Sequence, residues 1–326
     1  MIAAIGNSEY LGRRIAPILQ ELNGSAGPVL VGTDHPVDLR FDAGADQLAT
    51  VDRVAVLTAT DVDAVYVSSA TGRHFDDCRA VLAADKDVFV EKPICLRSSE
   101  VVELDRMARE RNRTVFECLS YPYHPVWSEF VGRVRTTDWA ANTTVSAAFR
   151  IPGRNSTDFR MAPEHGGAAA DLGTYCIDAL VRLGASADGI RVGKMLMGAP
   201  TNDCGFAIAG SDTGKRNSNY GGLWAIEDEY ANSVVVADGY RRIELHRAFT
   251  PPPETVGRVV ERTRDDPEPS VVVTTEPATS SRACLAAGSR YRRDEMVSGV
   301  VDREAIIRRV AALEEIAAAH DKAPPM

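Results

Sequence analysis

The chain is 326 residues long and weighs 35.2 kDa, the length of about two domains at ~150 residues each. Its 37 Lys and Arg against 46 Asp and Glu leave a net charge of −9, which disfavours nucleic acid and anionic membranes as partners; 44% hydrophobic and 25% charged residues exclude wholesale disorder or a fibrous repeat. The sequence has no run near ~18 apolar residues and no basic, apolar leader before Gly6, so a membrane span and a signal peptide are not expected and the location read from it is cytoplasmic. Its six cysteines are dispersed, without a C-x-x-C pair or a His at metal-ligand spacing; no metal is expected.

Residues 1–120 alternate short β-branched runs with amphipathic stretches, the pattern of a parallel sheet wound by helices. Strands are predicted at 2–5, 28–32, 53–57, 63–68, 87–91 and 114–118, and helices at 10–21, 74–84 and 98–111. Residues 121–326 have a different texture, with strand-like runs at 143–151, 190–198, 204–210, 222–238, 242–248 and 269–275, a helix from Gly167 to Gly184 and a last helix at 302–320 able to pack back on the first domain. A Rossmann domain over 1–120 and an α+β domain over 121–326 with an open, mostly antiparallel sheet follow. Residues 211–219 and 251–268 read as mobile loops. Val234, Val236, Ile243 and Leu245 alternate as candidates for an uncovered sheet face, so a homodimer or homotetramer is expected.

Three stretches carry chemistry. The first strand ends at Gly6, followed by Asn7, Ser8, Glu9, Tyr10, Leu11, Gly12, Arg13 and Arg14. A glycine at that turn lets a pyrophosphate approach the helix N-terminus. Ser8 and Leu11 stand where the second and third glycines of G-x-G-x-x-G would be, so an ordinary strand-to-helix turn is the alternative. Thr33 and Asp34 close the second strand, where a carboxylate accepts from an adenosine ribose or is simply a solvated loop acid. Val88-Phe89-Val90-Glu91-Lys92-Pro93 delivers an ammonium group to the sheet edge where ligands bind in open α/β sheets. Downstream, Asp171 and Tyr175 are four apart on one helix face. They form either a proton-transfer set with a lysine or a capping acid and a core tyrosine.

Taken together, Glu91-Lys92-Pro93, Tyr121-Pro122-Tyr123-His124-Pro125, Asp171-Leu172-Gly173-Thr174-Tyr175 and Arg247-Ala248-Phe249-Thr250-Pro251-Pro252 resemble the glucose-fructose oxidoreductase/inositol dehydrogenase (Gfo/Idh/MocA) family over nearly the whole chain. Within it the likeness is to nucleotide-sugar 3-ketoreductases of deoxysugar biosynthesis. The resemblance implies a nicotinamide cofactor, NAD or NADP, held by Gly6, Asn7, Ser8, Glu9, Tyr10, Arg13, Arg14, Thr33, Asp34, Ser69, Ala70, Thr71, His74, Glu91 and Lys92. It implies a sugar substrate, probed by Tyr121, Tyr123, His124, Arg150 and Arg160, and catalysis by Lys92, Tyr175 and Asp171, with Tyr175 as proton donor. Lys92 would touch both nicotinamide ribose and substrate and lower the pKa of the tyrosine.

Three departures from the family pattern stand out. Ser69-Ala70-Thr71 replaces the usual Leu-Pro-Asn/Thr turn, Pro122 stands where an Arg is expected, and Thr33-Asp34 replaces the Ser-Arg that holds the 2′-phosphate of NADP. A carboxylate at that point repels the phosphate, so NAD is favoured unless Arg13, Arg14 or Arg40 reaches across. The reaction expected is reduction of the C-3 keto group of a nucleotide-linked deoxysugar. Its rivals are NAD-dependent oxidation of a free sugar, polyol or aminocyclitol, and a non-catalytic dinucleotide-binding regulator.

Overall fold

The computed structural model describes residues 1–24, 27–34, 48–140, 142–155, 158, 160, 162–186, 189–196, 203–212, 217–226, 229–254, 256–293 and 298–320. The chain divides into two compact units, the first formed by Met1–Leu119 with Ser281–Ile307, the second by Ser120–Ser280 with Arg308–Met326. The first unit therefore draws on a stretch near the C-terminus as well as on the N-terminal 119 residues.

The first unit begins with β1 (Ile2–Ile5), a π-helical turn at Leu11–Ile15, α1 (Ala16–Asn23), β2 (Val29–Thr33), β3 (Leu48–Asp52), α2 (Arg53–Thr58), β4 (Ala64–Val67), α3 (His74–Ala83), β5 (Asp87–Val90), α4 (Ser98–Glu110) and β6 (Thr114–Glu117). The second unit holds α5 (Pro125–Thr136), β7 (Asn142–Ile151), α6 (Thr174–Arg182), β8 (Arg191–Leu196), β9 (Asp203–Asp212), β10 (Asn217–Ile226), β11 (Ala231–Ala237), β12 (Arg241–His246), β13 (Gly257–Thr263) and β14 (Ser270–Thr275). Then come α7 (Ser280–Arg293), β15 (Gly299–Val300) and α8 (Arg303–His320).

The first sheet has the order β15-β6-β5-β4-β1-β2-β3, and every pair in it is parallel. Its 3-2-1-4-5-6 core is the doubly wound dinucleotide-binding order, with the direction of winding reversed between β1 and β4. Strands β1, β4 and β6 are buried at all four positions, as a parallel sheet covered on both faces requires. Glu100 Oε2 accepts from Arg97 N at 3.2 Å at the start of α4, satisfying a donor at the helix entry.

Residues 53–57 are a correction: they begin α2 and not a strand, which lies just before them at Leu48–Asp52. Val54 and Val56 alternate like a strand, but the Asp52 carboxylate accepts from Val54 N at 2.7 Å and starts a helix there. Of the interval from Asp34 to Asp52, which is short and poor in apolar periodicity, residues 35–47 lie outside the described residues, Arg40 among them.

The second sheet runs β14-β13-β12-β11-β7-β10-β9-β8 and is antiparallel except where β10 lies parallel to β7. The run read as 222–238 is two strands, β10 and β11. Residues 257–263, inside the stretch read as a mobile loop, are strand β13, whose inward Gly257, Val259 and Glu261 alternate with outward Arg258 and Arg262; charged residues on both faces mask the period.

The face of this sheet that is buried differs from the expectation. Val234, Val236, Ile243 and Leu245 are at most 1% exposed and form the core of the unit. The exposed apolar side chains lie on the other face, at Phe206, Ile208 and Leu223, with Leu223 directly opposite Phe206 in the ladder. Since side chains alternate across a strand, the apolar set read from the sequence belongs to the inner face.

Candidate functional site

In the first unit the polar residues gather at the carboxyl ends of the parallel strands. Gly6 has φ +116, and a Cβ there would meet the Ser68 carbonyl carbon and oxygen at 2.5 Å. Only glycine fits where the turns after β1 and β4 cross. Ser68 N donates to Ile5 O at 2.8 Å and Gly6 N to Gly32 O at 3.1 Å, so the backbone ladder carries on through the winding reversal. Ser8, in the place of the second motif glycine, has its hydroxyl 2.5 Å from that of Ser68 and accepts from Leu11 N at 3.1 Å. It thus caps the following helix and ties the two turns together. Tyr10 is 41% exposed, its hydroxyl 2.6 Å from Ser281 Oγ. Asn7 and Glu9 are exposed, and Glu9 is engaged by Arg13 at 2.9 Å. Arg14 is half-buried.

His74, buried at the start of α3, has Nδ1 2.8 Å from Pro93 O and Nε2 3.0 Å from Ser69 O. It clamps the Ser69-Ala70-Thr71 turn to the residue after Lys92. Burial pushes its pKa below the ordinary imidazole value, and the two carbonyls oppose the shift without reversing it. Glu91 accepts a hydrogen bond from the buried Tyr66 hydroxyl. Burial raises the Glu91 carboxyl above its usual range, with the Tyr66 hydroxyl and the Lys92 charge pulling the other way. Lys92 is half-buried and precedes a cis Pro93.

Thr33 is buried at the end of β2, and the exposed Asp34 beside it forms an ion pair with Arg73 at 2.6 Å. Asp34 thus has Arg73 as a partner, a residue that sequence reasoning did not weigh, while Arg13 is turned to Glu9.

Strand order, the close approach at Gly6, the capped helix behind it and the acid after β2 fit a dinucleotide with its pyrophosphate at the first turn and its adenosine ribose by Asp34.

In the second unit the centre is Tyr175. It follows a π-helical turn at Ala169–Gly173 and is half-buried among three rings, with centroids 6.0 Å to Tyr121, 5.3 Å to Phe149 and 5.4 Å to Phe249. Asp171 pairs with Arg160 at 2.7 Å, and Arg160 also holds Asp158 at 3.1 Å. Asp171 and Arg160, read separately from the sequence, thus form one unit.

Tyr121 is fully buried and donates from its hydroxyl to Asp178 Oδ2 at 2.7 Å. Asp178 is held below the usual carboxylate range: burial opposes this, but Arg182 at 2.6 Å and Arg309 at 2.9 Å outweigh it. His124 is 0% exposed, its Nδ1 accepting from Val126 N at 3.1 Å to cap α5. Tyr123 and Arg150 are half-buried. Asn232, 6% exposed on β11, accepts from Phe249 N at 2.9 Å and donates to Thr250 Oγ1 at 2.7 Å. It pins the Arg247–Pro252 loop whose Phe249 ring lies against Tyr175.

Asn232 and Asp178 escaped the sequence reading. The signal available for Asn232 is a polar residue at an inward position among Val234 and Val236.

A family model described as "Oxidoreductase family, NAD-binding Rossmann fold" matches residues 5–118. A dTDP-3,4-didehydro-2,6-dideoxy-alpha-D-glucose 3-reductase of Saccharopolyspora spinosa is 26% identical over 266 residues, covering 78% of this chain and 76% of that protein. The D-xylose 1-dehydrogenase (NADP(+)) 2 of Haloferax volcanii is 26% identical over 257 residues, 70% of this chain and 74% of that one. Among solved structures, a 3-ketoreductase from Actinomadura kijaniata in complex with NADP and TDP-benzene has TM-score 0.82 at 22% identity, covering 97% of this chain and 96% of that chain. Variants of that enzyme with one Tyr changed to Phe, or one Lys to Glu or Ala, are also solved. Residues 5–118 thus match the NAD-binding Rossmann fold of the Gfo/Idh/MocA oxidoreductases, enzymes similar at about 26% identity span most of the chain's length, and NAD or NADP fits as the cofactor.

Proposed function

We propose that the protein reduces the C-3 keto group of a nucleotide-linked deoxyhexose, the kind of substrate named for its Saccharopolyspora relative. The observation that carries this reading is Tyr175, a phenol set among three aromatic rings in a chain whose relatives include 3-ketoreductases. Reduction turns a carbonyl oxygen into an alkoxide, which needs a proton. The hydride would come from the nicotinamide cofactor when it is bound. Tyr175 is assigned the proton: its ring packs against Tyr121, Phe149 and Phe249, which restricts where its hydroxyl can point. Asp171, charge-paired with Arg160, gives the start of this helix a fixed polar rim and is assigned to orienting sugar hydroxyls.

Lys92 is assigned to the nicotinamide ribose and to lowering the barrier for proton release by its charge. His74 holds the backbone on either side of this role by joining Ser69 to Pro93. Gly6, Ser8 and Thr33 are assigned to the dinucleotide. Tyr121 and His124, both fully buried and bonded within the unit, support the substrate residues.

The test is to mix the purified protein with NADH or NADPH and a dTDP-linked 3-keto-2,6-dideoxyhexose, generated in place because such sugars are labile, and to follow loss of nicotinamide absorbance. Turnover there with none on free aldoses is expected. A second reading, oxidation of a free sugar, has the Haloferax xylose dehydrogenase behind it. Reduction of NAD or NADP by free aldoses, with no turnover of the keto nucleotide-sugar, would replace the first reading with the second.

A further inference from the structure

The acid after β2 bears on which cofactor the ribose end accepts, and its charge does not act by itself. A lone carboxylate there repels the 2′-phosphate of NADP and accepts from the 2′-hydroxyl of NAD. Asp34 is not alone, because Arg73 Nη2 donates to its Oδ2 at 2.6 Å across 39 residues of sequence. Arg73 also lies 4.0 Å from Asp77 Oδ1, and Asp77, 1% exposed, is ion-paired by Arg53. Two carboxylates and two guanidiniums alternate in a row, Asp34, Arg73, Asp77, Arg53, and their formal charges cancel.

The two ends of this row differ. Asp77 and Arg53 are 1% and 17% exposed, whereas Asp34 and Arg73 are 44% and 53% exposed. An exposed pair is worth little and opens easily, and a buried pair does not. The inner pair therefore anchors α3 while the outer guanidinium can change partner.

We propose that Arg73 sets the choice between NAD and NADP: it neutralises Asp34 when the ribose carries a hydroxyl and turns to the phosphate when the ribose carries one. Guanidinium is suited to this, since its planar fork binds carboxylate and phosphate with the same geometry. Asp77 keeps a negative charge behind Arg73 in either position. The consequence is a ribose end that accepts both cofactors, in place of the exclusion of NADP that Asp34 by itself implies. The inference rests on the dinucleotide site of the first unit and not on the sugar substrate, so it can fail while the reaction assignment stands.

The experiment is a fluorescence titration of NADH and NADPH into the full chain without any sugar. Wild type is expected to bind both with affinities within roughly tenfold of each other. Arg73→Gln should weaken NADPH by roughly ten- to a hundredfold, the worth of a hydrogen bond to a charged group, and NADH by no more than about threefold. Its NADPH affinity should also fall less steeply with added salt than that of wild type. Should Arg73→Gln not fold, Arg73→Lys decides: it keeps the charge and loses the fork, so it should still cost NADPH more than NADH. Equal losses for the two cofactors in these variants, an unchanged ratio, or a wild type that binds NADH and excludes NADPH would each overturn the proposal.

Discussion

The two units hold their functional side chains by opposite means. In the first, position is set by backbone and short polar ties: Gly6 against Ser68, Ser8 to Ser68, His74 between Ser69 and Pro93. In the second, position is set by rings packed around Tyr175, held from behind by the Asp178 ion cluster and by Asn232. A dinucleotide is bound largely through backbone groups that must come close, which suits glycine, serine and turns. A proton donor must point one way at a variable substrate, which suits a rigid ring in a tightly packed apolar wall. The proposed division of roles accounts for the difference, since a dinucleotide and a keto sugar ask for different kinds of order.

The comparison can be broken at its most sensitive point by Tyr175→Phe, which keeps every ring contact and removes the proton. Its kcat should fall by roughly 10²–10⁴-fold, the usual worth of general acid catalysis, with NADPH affinity measured by fluorescence unchanged. Near wild-type kcat would move the donor elsewhere, with the half-buried His165 the next group to vary.

Asp178→Asn tests whether the aromatic wall depends on the charge behind it. Removing one charge from a buried cluster that includes Arg309, 3% exposed, should cost about 3–5 kcal/mol in urea unfolding. The sign in pH follows from the depressed pKa of Asp178. Its contribution is present above the unfolded value of ~3.9 and is lost as pH falls through the lower folded value. Wild type should therefore lose stability below about pH 4 more steeply than Asp178→Asn.

In the first unit Gly6→Ala forces a side chain into backbone at a positive φ. A loss of roughly 1–3 kcal/mol is expected, together with weakened binding of both cofactors in the same titration. The smallest effect on the fold is predicted for Ile208→Asp, on the exposed sheet face. As a surface change it should alter the stability of the monomer by about 0.5 kcal/mol or less. If the outer face of Phe206, Ile208 and Leu223 joins two copies, as the uncovered apolar side chains suggest, light scattering should show the mass of the variant halved. An unchanged mass would remove this face from the interface.

Most of the parallel sheet was legible because strands such as β1 and β4 are short, apolar runs between turn residues; the more polar β3 was not. The Glu91-Lys92-Pro93 and Asp171 to Tyr175 segments were legible because they are contiguous in sequence. What was not legible joins residues far apart: Arg73 and Asp34, Tyr121 and Asp178, Asp178 and Arg309, the last separated by 131 residues. A one-dimensional period also cannot say which face of a sheet is covered. That is why Val234, Val236, Ile243 and Leu245 were read on the open side, although they are the core. At 53–57 the error was local, since a two-residue alternation of valines outweighed the cap that Asp52 provides.

The strand Gly299–Val300 is only two residues long, yet it governs how the chain can be divided. It adds to the open edge of β6, where Gly299 N donates to Arg113 O at 2.9 Å and Val301 N to Val115 O at 3.0 Å. The neighbouring α7 lies over the same strands, for a Cβ at Gly288 would strike Phe89 at 2.6 Å and Phe116 at 2.7 Å. A gene fragment ending after Leu119 would encode every residue assigned to the dinucleotide and still expose Phe89, Phe116 and an unpaired β6 edge, the kind of surface that recruits a second chain. Recombination that exchanges the second unit between relatives must therefore cut near Leu119, near Ser281 and again near Ile307, because Arg309, which pairs with Asp178, belongs with the second unit while Ser281–Ile307 belongs with the first.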